Sequence, residues 1–527
     1  MHRRTLLQGA AASLLASPLA APAIAQPAKS ATLRFVPQAN LSVLDPIWTT
    51  ATVTGEHGFY VFDTLYGANT KGEPLPQMAE GHSVSDNGLV WTFKLRDGLL
   101  FHDGEKVRGI DCAASLERWS KRDPFGQLLG RVVEKWAAPD DRTVEIRLTR
   151  KFPHLLDALC ASGGNIAFIM PERLAQTDPN KAVTEMIGSG PYKFLAKEYN
   201  SGSRVAYEKF DGYKPRGEAP DWMSGGKVAH FPRVVWSIIP DPATAAAALQ
   251  NNEVDWWERP LVDLIPMLKK ADGVGVQIAD PGGRMGIMRL NCLQTPFKDV
   301  KLRQAVRLAV NQKDYMLASR GDDASLWTEC RSLFGKGTPY YEDQKDLMPA
   351  DPKAAMAMLK EAGYGNEKVV IINPTDFPDI GPLGQMTAQT LKQIGMNVDL
   401  QESDWGTVVQ RRAKRGPITE GGWSIFHTTG PVVGWGNPAV SPLVGGQGEK
   451  GWFGWWKSDE AEHLAGEWLQ ATDPAEQKKF AVAASRLALD QVATVPLGQF
   501  FLQTAFRKSI TGILQCPTMV PWNIRPV

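Results

Sequence analysis

Aromatic and cationic side chains crowd one stretch of this chain. Of its 17 tryptophans, seven fall between Trp405 and Trp468, at 405, 423, 435, 452, 455, 456 and 468. Such faces either pack a core or form a wall against a sugar or ring. Arg411, Arg412, Lys414 and Arg415 form a charge run in the same stretch. An arginine there either pairs a carboxylate bidentately or lies on a solvated helix face. Bond-making chemistry is harder to find. The chain has no Walker A sequence, no G-x-S-x-G and no H-E-x-x-H. Its eight histidines are scattered, with no i, i+4 pair, so neither a metal site nor a cofactor is expected. Gly446-x-Gly448-x-x-Gly451 has the letters of a dinucleotide fingerprint, but it runs into Trp452-Phe453-Gly454-Trp455-Trp456 rather than a helix. It reads as a loop. The 57 acidic residues leave a glycosidase carboxylate pair open, since sequence gives no distances.

Composition narrows the class. With 527 residues, 43% hydrophobic and 22% charged at a net +1, the chain is neither disordered, polytopic nor a strongly basic nucleic-acid binder. Arg3-Arg4, an apolar run from Leu6 to Ala21 and Ala23-Ile24-Ala25 form an export signal over 1–25, with cleavage after Ala25. The paired arginines resemble a twin-arginine signal. No cysteine follows the apolar run, so a lipid anchor is not expected, and removal of the two arginines leaves a mature charge of −1. The five cysteines are far apart with no C-x-x-C, which favours buried free thiols.

The elements that must position these residues come in two textures. Ser83–Phe101 reads as consecutive hairpins punctuated by Asn87-Gly88, Asp97-Gly98 and Asp103-Gly104. Asp111 is the expected N-cap of a helix from Cys112 to about Lys121. From 299 to 415, helices alternate with strands. Asp299 caps an apolar stripe at Leu302, Ala305, Val306 and Ala309, Asp351-Pro352 opens a helix closed by Gly363, and Val369–Ile372 and Val398–Leu400 are strands. Asp473-Pro474 starts a long helix to about Gln491, followed by a strand over 495–501. The fold class is α/β (mixed α+β).

Several blocks together resemble one family, the extracytoplasmic solute-binding proteins of the peptide/nickel/opine class (family 5), which feed ABC importers. They are Gly81 to Gly98 with Phe101-His102-Asp103-Gly104, Ile187-Gly188-Ser189-Gly190-Pro191-Tyr192, Asp211-Gly212-Tyr213, Leu249 to Asp255, Leu290-Asn291, Pro296 to Ala305, and Asp351-Pro352 to Tyr364. The resemblance implies a two-lobed type II periplasmic binding fold, cluster C, with an extra β-rich subdomain. Lobe I would be 26–283 with the subdomain at about 58–185, lobe II 284–494, and 495–527 a return to lobe I. A monomer in the periplasm would close its cleft on a small polar solute and deliver it to the permease subunits of an importer, without catalysis or nucleic acid.

The resemblance also implies site residues. Peptide binders carry Gly-Trp with an Asp three residues after the Trp, to hold the peptide amine. Here Gly422-Trp423 is followed by Ser424-Ile425-Phe426, so Phe426 replaces the acid, with His427 and Thr428 next. A buried ammonium would go unpaired there. This raises opines, modified amino acids, acidic peptides and glycosides beside the family's peptides. Trp405 stands where a ligand-flanking tryptophan is common, with Arg411 and Arg412 beyond it. Trp48 and Thr49 follow Leu44-Asp45-Pro46 in a loop that reaches the cleft. Each has a plain structural alternative: hinge-side core for Trp423, a surface loop for Trp48 and Thr49. An exported hydrolase and a periplasmic chaperone remain rival functions.

Overall fold

The computed structural model describes residues 32–161 and 164–527; the expected export signal at 1–25 lies outside them. Two separate sheets organise the chain. The first has seven strands in the order Tyr192–Phe194, Arg204–Lys209, Arg233–Ser237, Thr32–Val36, Trp256–Trp257, Gln503–Arg507 and Val274–Ile278. Its centre is parallel, Thr32–Val36 pairing with Arg233–Ser237 and Trp256–Trp257. The second has six: Trp327–Thr328, Thr494–Phe500, Arg284–Leu290, Ile425–Pro431, Lys368–Pro374 and Asn397–Ser403. Here Lys368–Pro374 runs parallel to both neighbours.

The hairpin texture forms a third, antiparallel sheet of Ala79–Val84, Val90–Leu95, Thr143–Leu148 and Val133–Asp140. Alternation works as expected in its Val90–Leu95 strand: Phe93 and Leu95 are buried and Lys94 is exposed. The adjoining helix runs Gly109–Ser120 and begins before the expected Asp111 cap. Asp111 is its third residue and accepts the backbone N–H of Arg108 at 2.8 Å, the reciprocal half of a capping box. The four Asp-Pro helix starts behave as caps; at the first, Asp123 accepts the backbone N–H of Gly126 at 2.9 Å. Asp241, Asp351 and Asp473 accept backbone N–H groups of Thr244, Ala354 and Ala475 at 2.7, 2.9 and 2.8 Å.

The chain passes between the two large sheets through 279–283 and again through 501–502. These crossings touch, with Ala279 N–H donating to Leu502 O at 2.8 Å. Gly283 has φ +70°, and a Cβ there would sit 2.8 Å from Phe500 O, so the crossing requires glycine. The return expected at 495 is corrected. Thr494–Phe500 pairs with Arg284–Leu290 inside the second sheet, its Val495 and Leu497 fully buried, and the first sheet is rejoined only at Gln503. All five cysteines are free, and no helix among the described residues is long and apolar enough to cross a membrane.

Candidate functional site

Open α/β sheets bind ligands beyond the carboxyl ends of their parallel strands. On the first sheet those ends carry Gln38 and Glu258-Arg259. The Gln38 N–H donates to Glu258 Oε2 at 2.6 Å, and Arg259 Nε lies 3.0 Å from Oε1. Glu56 is buried with no donor to either oxygen among the described residues. Burial and the neighbouring Glu258 hold its pKa well above the carboxylate range. On the second sheet the corresponding loop carries Asp379, paired with Arg320 at 2.7 Å. Burial pushes Asp379 up, but Arg320, then Arg259 and Arg284, pull it below its ordinary value. Arg259 of the first sheet therefore acts electrostatically on Asp379 of the second. None of these residues was marked by the sequence, since no motif links 56, 258, 284, 320 and 379.

The same rim continues to the strand Asn397–Ser403 and the short helix Trp405–Arg411. Asp404 caps that helix, accepting from Thr407 N–H at 3.0 Å, which engages the acid adjacent to Trp405 in sequence. The Trp405 N–H donates to Asp376 at 2.7 Å, and its half-buried ring packs on Phe377 at 5.3 Å. Arg411 is held by backbone carbonyls. Its Nε and Nη2 donate to Gly421 O and Gly422 O at 2.9 and 3.0 Å. Its neighbour Arg412 stands differently. The guanidinium carbon lies 4.9 Å from the ring of Phe453, 5.6 Å from Trp405 and 5.8 Å from Phe426. Its buried Nε has no acceptor, and burial draws its pKa down to about 10.

The Gly-Trp segment divides by strand parity. Trp423 is fully buried, its ring 5.1 Å from Phe426 and 5.7 Å from Trp455, with Nε1 donating to Arg412 O at 3.1 Å. Ser424 is a strand link, its Oγ accepting from Val370 N–H at 3.1 Å. Phe426 lies under Arg412 and Trp452 and carries no polar group. Thr428 is buried two residues on, on the Phe426 face. His427 points to the opposite face, where Nε2 meets Thr387 Oγ1 at 2.7 Å, and Tyr315 continues the chain at 3.1 Å. Phe426 and His427 therefore lie on opposite faces of the sheet.

His427 gives a pH prediction. Desolvation lowers its pKa from 6.5 to about 3. Between these values the unfolded chain binds a proton that the native chain excludes, so stability falls as pH falls from about 6.5 toward 3. His427→Gln is expected to flatten the acid limb of urea-derived stability by up to about 1.4 kcal/mol per pH unit. An unchanged slope would mean His427 is already charged in the native protein.

Trp48 and Thr49 sit in a firmly held loop of the first unit. Trp48 Nε1 donates to Asn180 O at 3.0 Å, and its own carbonyl accepts from Arg122 at 2.9 Å. Thr49 is half-buried, and its Oγ1 accepts from Ala51 N–H at 3.3 Å. The remaining tryptophans are mostly packing. Trp435 fills the space against Gly430, Trp456 donates to Gln491 at 3.2 Å, and Trp468 stacks on His154 at 4.2 Å. Trp452 differs, with the Arg289 guanidinium 5.1 Å from its ring. The glycine triplet 446–451 is a loop with one tight turn at Gly448–Lys450, not a helix start.

Solved structures share this architecture over almost the whole chain. A dipeptide-binding protein from Pseudoalteromonas, in complex with Met-Leu, matches at a TM-score of 0.77 and 20% identity, covering 94% of this chain and 100% of that one. A periplasmic binding protein of Agrobacterium in complex with mannopinic acid matches at 0.77 and 20%, covering 94% and 99%. The fold is the type II periplasmic binding fold. Residues 73–436 match the family of bacterial extracellular solute-binding proteins, family 5. A probable peptide ABC transporter periplasmic-binding protein of Sinorhizobium fredii is 38% identical over 491 residues, 92% of each chain. This chain belongs to that family, whose members serve as the substrate-binding components of ABC importers.

Proposed function

We propose that this chain is exported, loses residues 1–25, and works in the periplasm as a monomeric carrier that traps a small polar solute between two lobes. Lobe I comprises the first sheet with its antiparallel subdomain, and lobe II the second sheet from 284 to 500. The observation that carries this is the pair of adjoining crossings, 279–283 and 501–502, between the two sheets, joined by the Ala279 N–H to Leu502 O bond at 2.8 Å. Two short links permit hinge closure, and closure excludes water from the polar contacts that hold the solute. The captured solute is then passed to the importer's permease unchanged.

Calorimetry with Met-Leu and mannopinic acid, followed by small-angle scattering, tests this. One-to-one binding with a reduced radius of gyration, and recovery of intact ligand, is the expected result. A hydrolysed product would replace the carrier reading with an exported hydrolase. Suppression of another protein's aggregation, without closure on a small ligand, would favour a chaperone.

A further inference from the structure

We infer that the antiparallel subdomain carries a clasp: His154, stacked on Trp468 of the second-sheet lobe, joins the two lobes outside the crossings and sets how readily the carrier closes. This rests on the two-lobed carrier reading above and gives the subdomain a part in it.

The first ground is where the two residues stand. His154 follows the subdomain strand Thr143–Leu148 and precedes the short helix Leu155–Leu159. Trp468 lies on the helix Asp459–Gln470, which packs against the helix Pro474–Asp490 that leads into the second sheet. The ring centroids are 4.2 Å apart and the planes 13° from parallel. Among the described residues this is the one aromatic pair that joins the two lobes. It belongs neither to the crossings at 279–283 and 501–502 nor to the loops bearing Glu258 and Asp379. His154 is 4% exposed and Trp468 2%, so parting the lobes would uncover faces that are now dry. That loses apolar burial as well as the stacking itself.

The second ground is the support on each side. His154 Nδ1 meets Asp157 Oδ2 at 2.8 Å, which fixes the plane of the imidazole. Phe125 stands 6.4 Å behind it, with Phe152 a further 6.0 Å on. In the other lobe Tyr340 meets Trp468 edge-on at 6.0 Å, and Phe334 meets Tyr340 at 6.0 Å. A row of six rings therefore runs from one lobe into the other. Burial raises the pKa of the Tyr340 hydroxyl, and the Asp157 carboxylate of the opposite lobe adds to the rise. The third ground is a built-in limit. His154 Nε2 is buried without a partner among the described residues, and it recovers water when the lobes part. An aromatic pair biases such an equilibrium by about tenfold, so the clasp tilts the balance toward closure without locking it. Apparent affinity scales with the fraction of protein in the binding-competent state, so the clasp acts on every solute alike.

The test uses the full mature chain, with small-angle scattering of the ligand-free protein and calorimetry with Met-Leu and mannopinic acid. Trp468→Leu and His154→Ala should each raise the ligand-free radius of gyration, through a shift of about tenfold from closed to open. The double variant should open no further, because either change removes the same stack. His154→Phe keeps a ring and removes the stranded nitrogen, so it should be at least as closed as wild type. Where the probes bind, Trp468→Leu should weaken each by one common factor of up to about ten, whereas a residue touching solute would change their ratio. The two single changes lie in different lobes, so a folding defect in one leaves the other to decide. The clasp is overturned if neither single variant changes the ligand-free radius, if their effects on it add, or if His154→Phe opens like His154→Ala. Unchanged variants beside a wild type that closes on either probe overturn the clasp alone. A radius fixed in wild type and variants, with and without probe, overturns the carrier reading as well.

Discussion

Trp423→Ala should destabilise the second-sheet unit by about 3–5 kcal/mol in urea unfolding of the ligand-free protein. Trp423 is fully buried in a small core with Val370, Ile372, Val408, Phe426 and Trp455, separate from the main core. Its removal leaves a large cavity on one face of the sheet. It also strips the Arg412 carbonyl of its donor at the end of the helix Trp405–Arg411. Trp423→Phe keeps most of the volume and loses the hydrogen bond, so it should cost about 1–2 kcal/mol. Ligand affinity should fall in both variants, but as a consequence of the loosened helix end. If Trp423→Ala keeps wild-type stability while affinity collapses, the indole faces the solute after all and the core assignment is wrong.

How far the sequence reached can be judged from neighbouring residues. Asp351-Pro352 and Asp473-Pro474 announced their helices because capping is local: the side chain that stops the N–H groups being orphaned is in the motif itself. The strands Lys368–Pro374 and Asn397–Ser403 were visible as β-branched or alternating runs. The end of the second sheet was not, because Thr494–Phe500 is placed by pairing with Arg284–Leu290 some two hundred residues earlier. In the site, Arg411 and Arg412 are adjacent letters, yet a helix end turns one onto the carbonyls of Gly421 and Gly422 and the other among three rings. No composition rule separates them. Phe426 and His427 are another matter. Consecutive strand residues face opposite sides, so parity alone was enough to set them on opposite faces of the sheet. The Glu56–Glu258 contact with Arg259, and its influence across to Asp379, is a product of topology and left no local trace.

The loop bearing Trp48 and Thr49 should prove to depend on one buried ion pair. Arg118 and Asp45 are almost wholly inaccessible, at 1% and 0% side-chain exposure, and are joined at 2.7 Å. Removing one partner of such a pair costs about 3–5 kcal/mol, since the other charge stays buried alone. The two removals should not be equal. Asp45 also accepts the backbone N–H groups of Ile47, Trp48 and Val183 at 3.0, 3.2 and 2.8 Å. Arg118→Ala therefore leaves a carboxylate that keeps three donors. Asp45→Ala leaves a guanidinium with only the carbonyls of Lys181 and Thr177, at 2.9 and 3.3 Å, and orphans three N–H groups besides. Asp45→Ala should thus be the more damaging by about 1–2 kcal/mol, measured by urea unfolding. It should also free the Trp48 ring from Asn180, seen as a change in tryptophan fluorescence. Replacing both partners together with apolar residues should cost much less than the sum, because the desolvation of both charges disappears with them. Additive losses in that double variant would show that the two side chains act independently, and the loop would then be held by its contacts to Asn180 and Arg122 alone.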